Sequence, residues 1–239
     1  MRADVPLDSR TTVTTIIPAL DEEGAIGETV ARLDRSLVHD IIVVDNGSRD
    51  RTVERAMAAG ARIVREPQRG YGSACLAGVR AAGHSTILVF LDGDGSDDPE
   101  DLPRVLAPVL KDEADLVLGS RLRGTRQRGS LSTHQLWGNR VVLVLLRMLY
   151  GLRLTDFGPF RAIRAEVLAS LCMSHPSYGW PIEMIVKAAK RDLRIVEVPV
   201  NHRRRIGQSK VAGTVAGSLL AGYHLIATTL RYAWGRRKL

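Results

Sequence analysis

The first half of the chain alternates short β-branched apolar runs with longer stretches whose apolar residues recur at helical spacing. Thr12–Ile17, Ile41–Val44, Ala61–Val64, Thr86–Leu91 and Leu116–Leu118 read as strands. They are near-continuous apolar runs, the pattern of strands covered on both faces of a parallel sheet. Glu22–Leu37, Arg51–Ala59, Ser73–Ala82 and Pro99–Leu110 read as the intervening helices. Asp50 is placed to cap the second of these, and Gly60 stands just past its end. The alternation predicts an α/β protein with an open, doubly wound, mostly parallel sheet. Such sheets bind ligands beyond the carboxyl ends of their strands, where the strand order reverses. The polar residues that follow each run, "IIPALDEE", "VVDNGSRD", "LDGDGSDD" and "LGSRLRG", are therefore candidate chemistry. After Leu118 longer helical stretches and basic loops follow, with a further strand expected at Arg194–Val198. This half is expected to be a helical elaboration that supplies a second substrate's site.

Composition narrows the reading. A chain of 239 residues fits one domain with an extension, long enough to bury its own core. Its two cysteines, Cys75 and Cys172, lack metal-ligand spacing and fit a reducing compartment. The start, "MRADVPLDSR", has no apolar core, so no secretory signal is expected there. The net charge of +8 points to anionic partners, yet six acids fall between Asp92 and Asp101. Bases concentrate instead in Arg121–Arg128, Arg203–Lys210 and Arg231–Lys238. An acid cluster at a strand end and few aromatics count against a nucleic-acid binder, which needs a basic face with stacking rings.

The acids divide by job. Asp98-Pro99-Glu100-Asp101 is a helix start, with a cap, a proline at the first helical position and acids facing the helix dipole. Asp92 and Asp94 are left over, separated by Gly93 at a strand's carboxyl end. Two carboxylates on such a turn suit Mg²⁺ or Mn²⁺, held together with substrate phosphates. The Gly-rich "QRGYGSACLAG" is either a donor-approaching loop or a plain turn before a helix.

Seven segments in order, "PALDEE", "VVDNGSRDRT", "LDGDGSDDP", "GSRLRG", "TDFGPFRAIR", "GWPIEM" and "RRRIGQSKVAGT", resemble a family-2 glycosyltransferase of the dolichyl- or polyprenyl-phosphate sugar synthase type. The resemblance runs from about Thr12 to the C-terminus. It implies a glycosyltransferase-A fold, a nucleotide-sugar donor (UDP- or GDP-sugar), a divalent metal, inverting transfer and a polyprenyl phosphate acceptor. It places Pro18, Leu20, Glu22, Val43 and Asp45 near the nucleoside, and Asp92, Gly93, Asp94 and Ser96 at the metal and diphosphate. It makes Arg121, Arg205 and Lys210 phosphate-binding cations, with Arg204 the alternative to Arg205 because the late basic segment is slightly short. It makes Asp94, a metal ligand with Asp92, a catalytic residue. Asp156 and Glu183 are candidates for acceptor orientation or base work; otherwise Asp156 pairs with Arg161 or Arg164, and Glu183 pairs with an arginine or starts a helix. Asn46 stands where a second aspartate is common, and Gly93 where alanine is common in the dolichyl enzymes.

Two apolar stretches bear on the membrane. Val141–Leu152 is broken by Arg147 and too short to span, since a bilayer takes about 20 apolar residues. Val211–Leu230 puts Val211, Val215, Leu219, Tyr223, Ile226 and Leu230 on one face, with Trp234 beyond, and basic residues follow. An interfacial helix against an anionic cytoplasmic leaflet is expected, the other reading being that both segments pack on the protein's own sheet. The expected division is a tail at 1–10, a catalytic domain at 11–210, and an amphipathic helix with a basic tail at 211–239. The function expected is glycosyl transfer to a polyprenyl phosphate, peripheral to the inner face of the membrane. The competing readings are a soluble acceptor, or a non-catalytic nucleotide-binding or nucleic-acid-binding protein.

Overall fold

The computed structural model describes residues 11–207 and 215–233. The tail at 1–10 and Lys210, Val211 and Trp234 lie outside them, as does the side chain of Leu219.

The strands are β1 (Val13–Ala19), β2 (Asp40–Asp45), β3 (Arg62–Arg65), β4 (Ile87–Phe90), β5 (Leu116–Ser120), β6 (Arg161–Arg164) and β7 (Ile195–Pro199). They form one sheet in the order β3-β2-β1-β4-β6-β5-β7. Only β6 runs against its neighbours, pairing antiparallel with both β4 and β5. From β1 the chain winds outward one way through β2 and β3 and then returns to place β4 on the other side. The order therefore reverses between β1 and β4, and Ile16 pairs with Phe90 where the two strands end side by side.

The apolar runs are continuous because both faces are covered. Ile17, Val43, Val89 and Val117 enter one core, under α1 (Ile26–Ala31), α2 (Thr52–Ala58) and α4 (Leu102–Leu110). Their neighbours Ile16, Val44, Phe90 and Leu118 enter the other, under α3 (Tyr71–Ala81), α5 (Thr133–Tyr150), α6 (Ala165–Ser170) and α7 (Trp180–Lys190). The strand period of two assigns alternate residues to opposite faces.

Three expectations change. The helix expected over Glu22–Leu37 shrinks to α1. Its start is taken by a turn in which Glu22 O accepts from Ala25 N and Ile26 N. Its end is taken by Asp34, whose carboxylate accepts from Ser36 N and Oγ, a local bond that competes with the helix. Strand β6 was not expected, because "RAIR" carries an arginine at each end. Arg161 is nonetheless fully buried, donating to the carbonyls of Phe157, Gly158, Pro159 and Pro181. Burial lowers its pKa. The third concerns α8 (Val215–Arg231), which packs on α5 and α7, with Leu225, Ile226 and Tyr232 against the core. Tyr223 of the expected face is exposed.

Among the described residues an exposed apolar stripe lies on α5, where Trp137 and Met148 are 70% and 76% exposed and Val141 and Val144 lie between them. These four fall on one side of the helix, while Val142 and Leu146 face the core. Among the described residues no helix is long and apolar enough to cross a membrane.

Candidate active site

Beyond the carboxyl ends of β1 and β4 opens a cleft of about 560 Å³. Pro18, Leu20 and Glu22 reach it from the end of β1, and Asp92, Gly93 and Asp94 from the end of β4. Arg121 follows β5, and Arg205 comes from the segment after β7. Eight of the site residues expected from sequence thus meet in one cavity, although they span nearly the whole chain.

The turn after β4 is held from within. Asp94 Oδ1 accepts from Ser96 N at 2.9 Å, and Asp97 Oδ2 accepts from Asp92 N at 3.1 Å. Ser96 serves this turn, buried, and its carbonyl accepts from Arg203 N. Asp98 caps the short helical turn Pro99–Asp101 as expected and binds Arg32 and Arg203. Asp101 takes Arg104 and the Asn201 backbone. Asp98, Glu100 and Asp101 are thereby spent on structure.

Asp92 is different. Its Oδ1 is buried without a hydrogen-bond partner. Burial, then the charges of Asp94 and Asp97, push its carboxyl well above the usual range, only partly countered by Arg205 and Arg121. A buried acceptor facing two further carboxylates is an environment that a cation stabilises. Among the described residues no three His, Cys, Asp or Glu side chains form a metal cage by themselves. That fits a cation completed by a ligand's phosphates, as magnesium sites usually are. Asp94 Oδ2 meets the guanidinium of Arg205, whose backbone neighbour Ile206 N donates to Asp94 O. Burial works against the charged Arg205, but Asp94 outweighs it and the pKa is raised.

Arg121 is held by Asp156 rather than free. Its Nε donates to Asp156 Oδ2 at 2.7 Å and its Nη2 to Oδ1 at 2.8 Å, while Arg121 N also donates to Oδ2. Phe157 N and Asn139 Nδ2 complete the carboxylate. Asp156 is fully buried and lies outside the cleft lining. Burial disfavours its charge, but Arg121 and these donors hold its pKa below the usual range. The expected partners Arg161 and Arg164 go elsewhere, Arg161 to carbonyls and Arg164 to Asp112 and Val109 O.

The remaining expected residues are placed apart. Val43 is buried in the core beneath the cleft. Asp45 closes the turn after β2 by accepting from Ser48 N at 2.8 Å. Glu183, on α7, is fully buried and accepts from Ser174, His175, Lys187 and Tyr232, outside the cleft lining.

Sequence reading missed Asn46, Arg69, Asn139, Tyr178 and Leu225, which all line the cleft. Asn46 had a visible signal, its departure from aspartate. Its amide donates to Glu66 O and Gln68 O and its Oδ1 accepts from Gly70 N, so it clamps the loop that carries Arg69. A carboxylate cannot donate those two bonds. In the Gly-rich segment Gly72 lies in the first turn of α3, and its close approach is to the protein's own backbone: a Cβ there would stand 1.9 Å from His175 O.

The chain matches the family model for glycosyl transferase family 2 over residues 14–172. It is 38% identical over 214 residues to an uncharacterized glycosyltransferase of Mycobacterium tuberculosis, covering 87% of this chain and 94% of that protein. It is 34% identical over 220 residues to the undecaprenyl-phosphate mannosyltransferase of Micrococcus luteus, covering 86% and 89%. Among solved structures it resembles glucosyl-3-phosphoglycerate synthase from Mycobacterium tuberculosis in complex with Mn²⁺, UDP and glucosyl-3-phosphoglycerate. There the TM-score is 0.76 at 27% identity, over 93% of this chain and 80% of that one. The sheet with its single reversed strand is the glycosyltransferase-A fold. Family match, relatives and fold agree with the cleft at the β1/β4 switch point, and the chain belongs to glycosyltransferase family 2.

Proposed function

We propose that this enzyme transfers a sugar, with inversion, from a nucleotide diphosphate to a polyprenyl phosphate at a membrane surface. The observation that carries the reading is the pair Asp92 and Asp94 at the switch point, with Asp92 Oδ1 unpartnered and two arginines beside it. Asp94 and Asp92 would hold a Mg²⁺ or Mn²⁺ ion together with the donor's phosphates. When bound, such an ion stabilises the charge that develops on the leaving diphosphate. Arg121, fixed as a planar fork by Asp156, and Arg205 supply further positive charge there, and Lys210 is assigned the same task. An acceptor phosphate oxygen attacks the anomeric carbon from the opposite side. The new carbon–oxygen bond forms as the bond to the diphosphate breaks, and the nucleoside diphosphate leaves with the electron pair. A phosphate monoester is largely deprotonated near neutral pH, so the step needs no strong base. Asp156 accordingly acts through Arg121, and Glu183 acts from outside the cleft. In this reading residues 11–210 are the catalytic domain and 211–239 its C-terminal extension.

The acceptor class draws support from relatives of the chain, which include the dolichyl-phosphate hexose transferase of Haloferax volcanii, 31% identical over 208 residues. It draws support also from the exposed stripe of α5, edged by Arg140 and Arg147. Apolar burial with flanking bases suits an anionic leaflet, about 1 kcal/mol per basic residue near the surface. We place that leaflet on the cytoplasmic side. A second reading, a soluble phosphorylated acceptor, is favoured by the likeness to glucosyl-3-phosphoglycerate synthase. The deciding experiment screens UDP- and GDP-sugars for Mn²⁺-dependent thermal stabilisation, then offers the selected donor a polyprenyl phosphate or 3-phosphoglycerate. Turnover on the prenyl phosphate is expected. Efficient turnover on the soluble acceptor alone, with no binding to anionic liposomes, replaces this reading with the second.

A further inference from the structure

The cleft has two flanks of different construction. Pro18, Leu20, Asn46 and Arg69 come from the β1–β3 end, and Asn139, Tyr178 and Leu225 from α5, the start of α7 and α8. The second flank depends on a buried hub outside the cavity. Glu183 accepts from Ser174 Oγ at 3.0 Å, His175 N at 2.8 Å and Tyr232 Oη at 2.8 Å, and pairs with Lys187 at 2.8 Å. One carboxylate thus joins the segment before Ser177 and Tyr178, the body of α7 and the end of α8.

Further contacts fix the same parts. Tyr150 Oη donates to Thr229 O at 2.7 Å, tying α8 to α5. Ser73 N donates to Pro176 O at 2.9 Å, and Gly72 leaves the room that lets residues 175–176 lie on the start of α3. A Cβ on Gly179 would stand 2.3 Å from Thr228 Oγ1 and 2.4 Å from His175 Nε2, so α8 seats only because that position has no side chain. His224 meets the rings of His175 and Tyr178 edge-on or tilted, at centroid distances of 5.4 and 6.5 Å. The wall is therefore a single packed unit, and Glu183 is the group it shares.

We propose that Glu183 is a positioning residue for the acceptor: by seating α8 and the 174–178 segment together, it sets the wall of Tyr178 and Leu225 that receives the acceptor beside its phosphate. This rests on the reading of a polyprenyl phosphate acceptor, whose first apolar units suit an aromatic and aliphatic wall. Pro18, Leu20, Asn46 and Arg69 make none of the bonds to Glu183, and the wall meets their side of the cleft at the start of α3, where Ser73 N donates to Pro176 O. Glu183 therefore acts chiefly on acceptor recognition.

Three variants test this in the full-length enzyme: Glu183→Gln, Tyr232→Phe and Gly179→Ala. The second and third keep the carboxylate and disturb the seating from two directions, so they decide the matter if Glu183→Gln does not fold. The measurements are the Kd of the selected nucleoside diphosphate with Mn²⁺ by calorimetry, the rate of donor hydrolysis by water, and the KM for a short-chain, water-soluble prenyl phosphate. A rise of roughly tenfold in acceptor KM is expected, the worth of one hydrogen bond to a charged group. Donor Kd and donor hydrolysis are expected to stay within about twofold of wild type. Donor Kd and acceptor KM moving together, or a fall in Tm with neither moved, overturns the proposal, because the hub then only holds the fold. If the wild type uses only a soluble phosphorylated acceptor, the prenyl reading fails separately. The same variants then decide the wall by that acceptor's KM, raised in support or unchanged against.

Discussion

Two arginine–carboxylate pairs stand at the same cleft and differ in completeness. In Arg121–Asp156 the fork is bidentate, the carboxylate is fully buried, and backbone and Asn139 donors fill its remaining sites. In Arg205–Asp94 a single guanidinium nitrogen meets one oxygen, and the side chain of Arg205 is about one-third exposed. The first leaves its carboxylate no spare capacity and fixes where the positive charge of Arg121 sits. The second joins a carboxylate suited to a cation with an arginine suited to a phosphate, so both partners keep capacity for ligands. A saturated pair is architecture, and an unsaturated one is where chemistry can enter.

Breaking the saturated pair is expected to have the largest effect. Asp156→Ala leaves Arg121 buried and unpaired, at a cost of about 3–5 kcal/mol in stability by chemical denaturation. Asp94→Asn is expected to spare the fold yet reduce kcat/KM by about 10²–10³ and abolish Mn²⁺-dependent donor binding. Metal-stimulated binding that survives in this variant removes Asp94 from the proposed metal site. Acid titration sharpens the contrast. The folded pKa of Asp156 lies below its unfolded value, so the pair's stabilisation is complete above about pH 4 and is lost as pH falls through the folded pKa. Asp156→Asn should flatten that part of the stability profile, measured as denaturant midpoint against pH. The smallest effect is expected from Arg205→Gln. With Mn²⁺ present its Tm should stay near wild type while donor KM rises about tenfold, since a charged hydrogen bond is lost but the metal offsets the charge of buried Asp94. A large loss of Tm in Arg205→Gln makes the two pairs equivalent and ends the comparison.

The difference between the pairs also marks what could be read in advance. Asp92 and Asp94 were legible because an apolar run announces its own strand end, and ligands of such sheets collect there. Asp98 was legible because capping is decided within a few residues. The partner of Asp156 was not: neighbouring Arg161 and Arg164 were the expected mates, and the true one lies 35 positions away. Strand β6 escaped because its arginines are neutralised by carbonyls and an acid brought in from elsewhere. Glu183 was legible as a residue of interest, but its task depends on Tyr232, 49 positions on.

The sequence by itself determined the alternation of strands and helices, the switch-point acids and the family. Those follow from side-chain periodicity and local turn chemistry, which act over a few residues. Only the tertiary structure decided which cation each acid holds, which side of α5 stays exposed, and that α8 joins the body of the enzyme. Those outcomes depend on burial, and burial is settled by chain segments far apart in sequence that exclude water together.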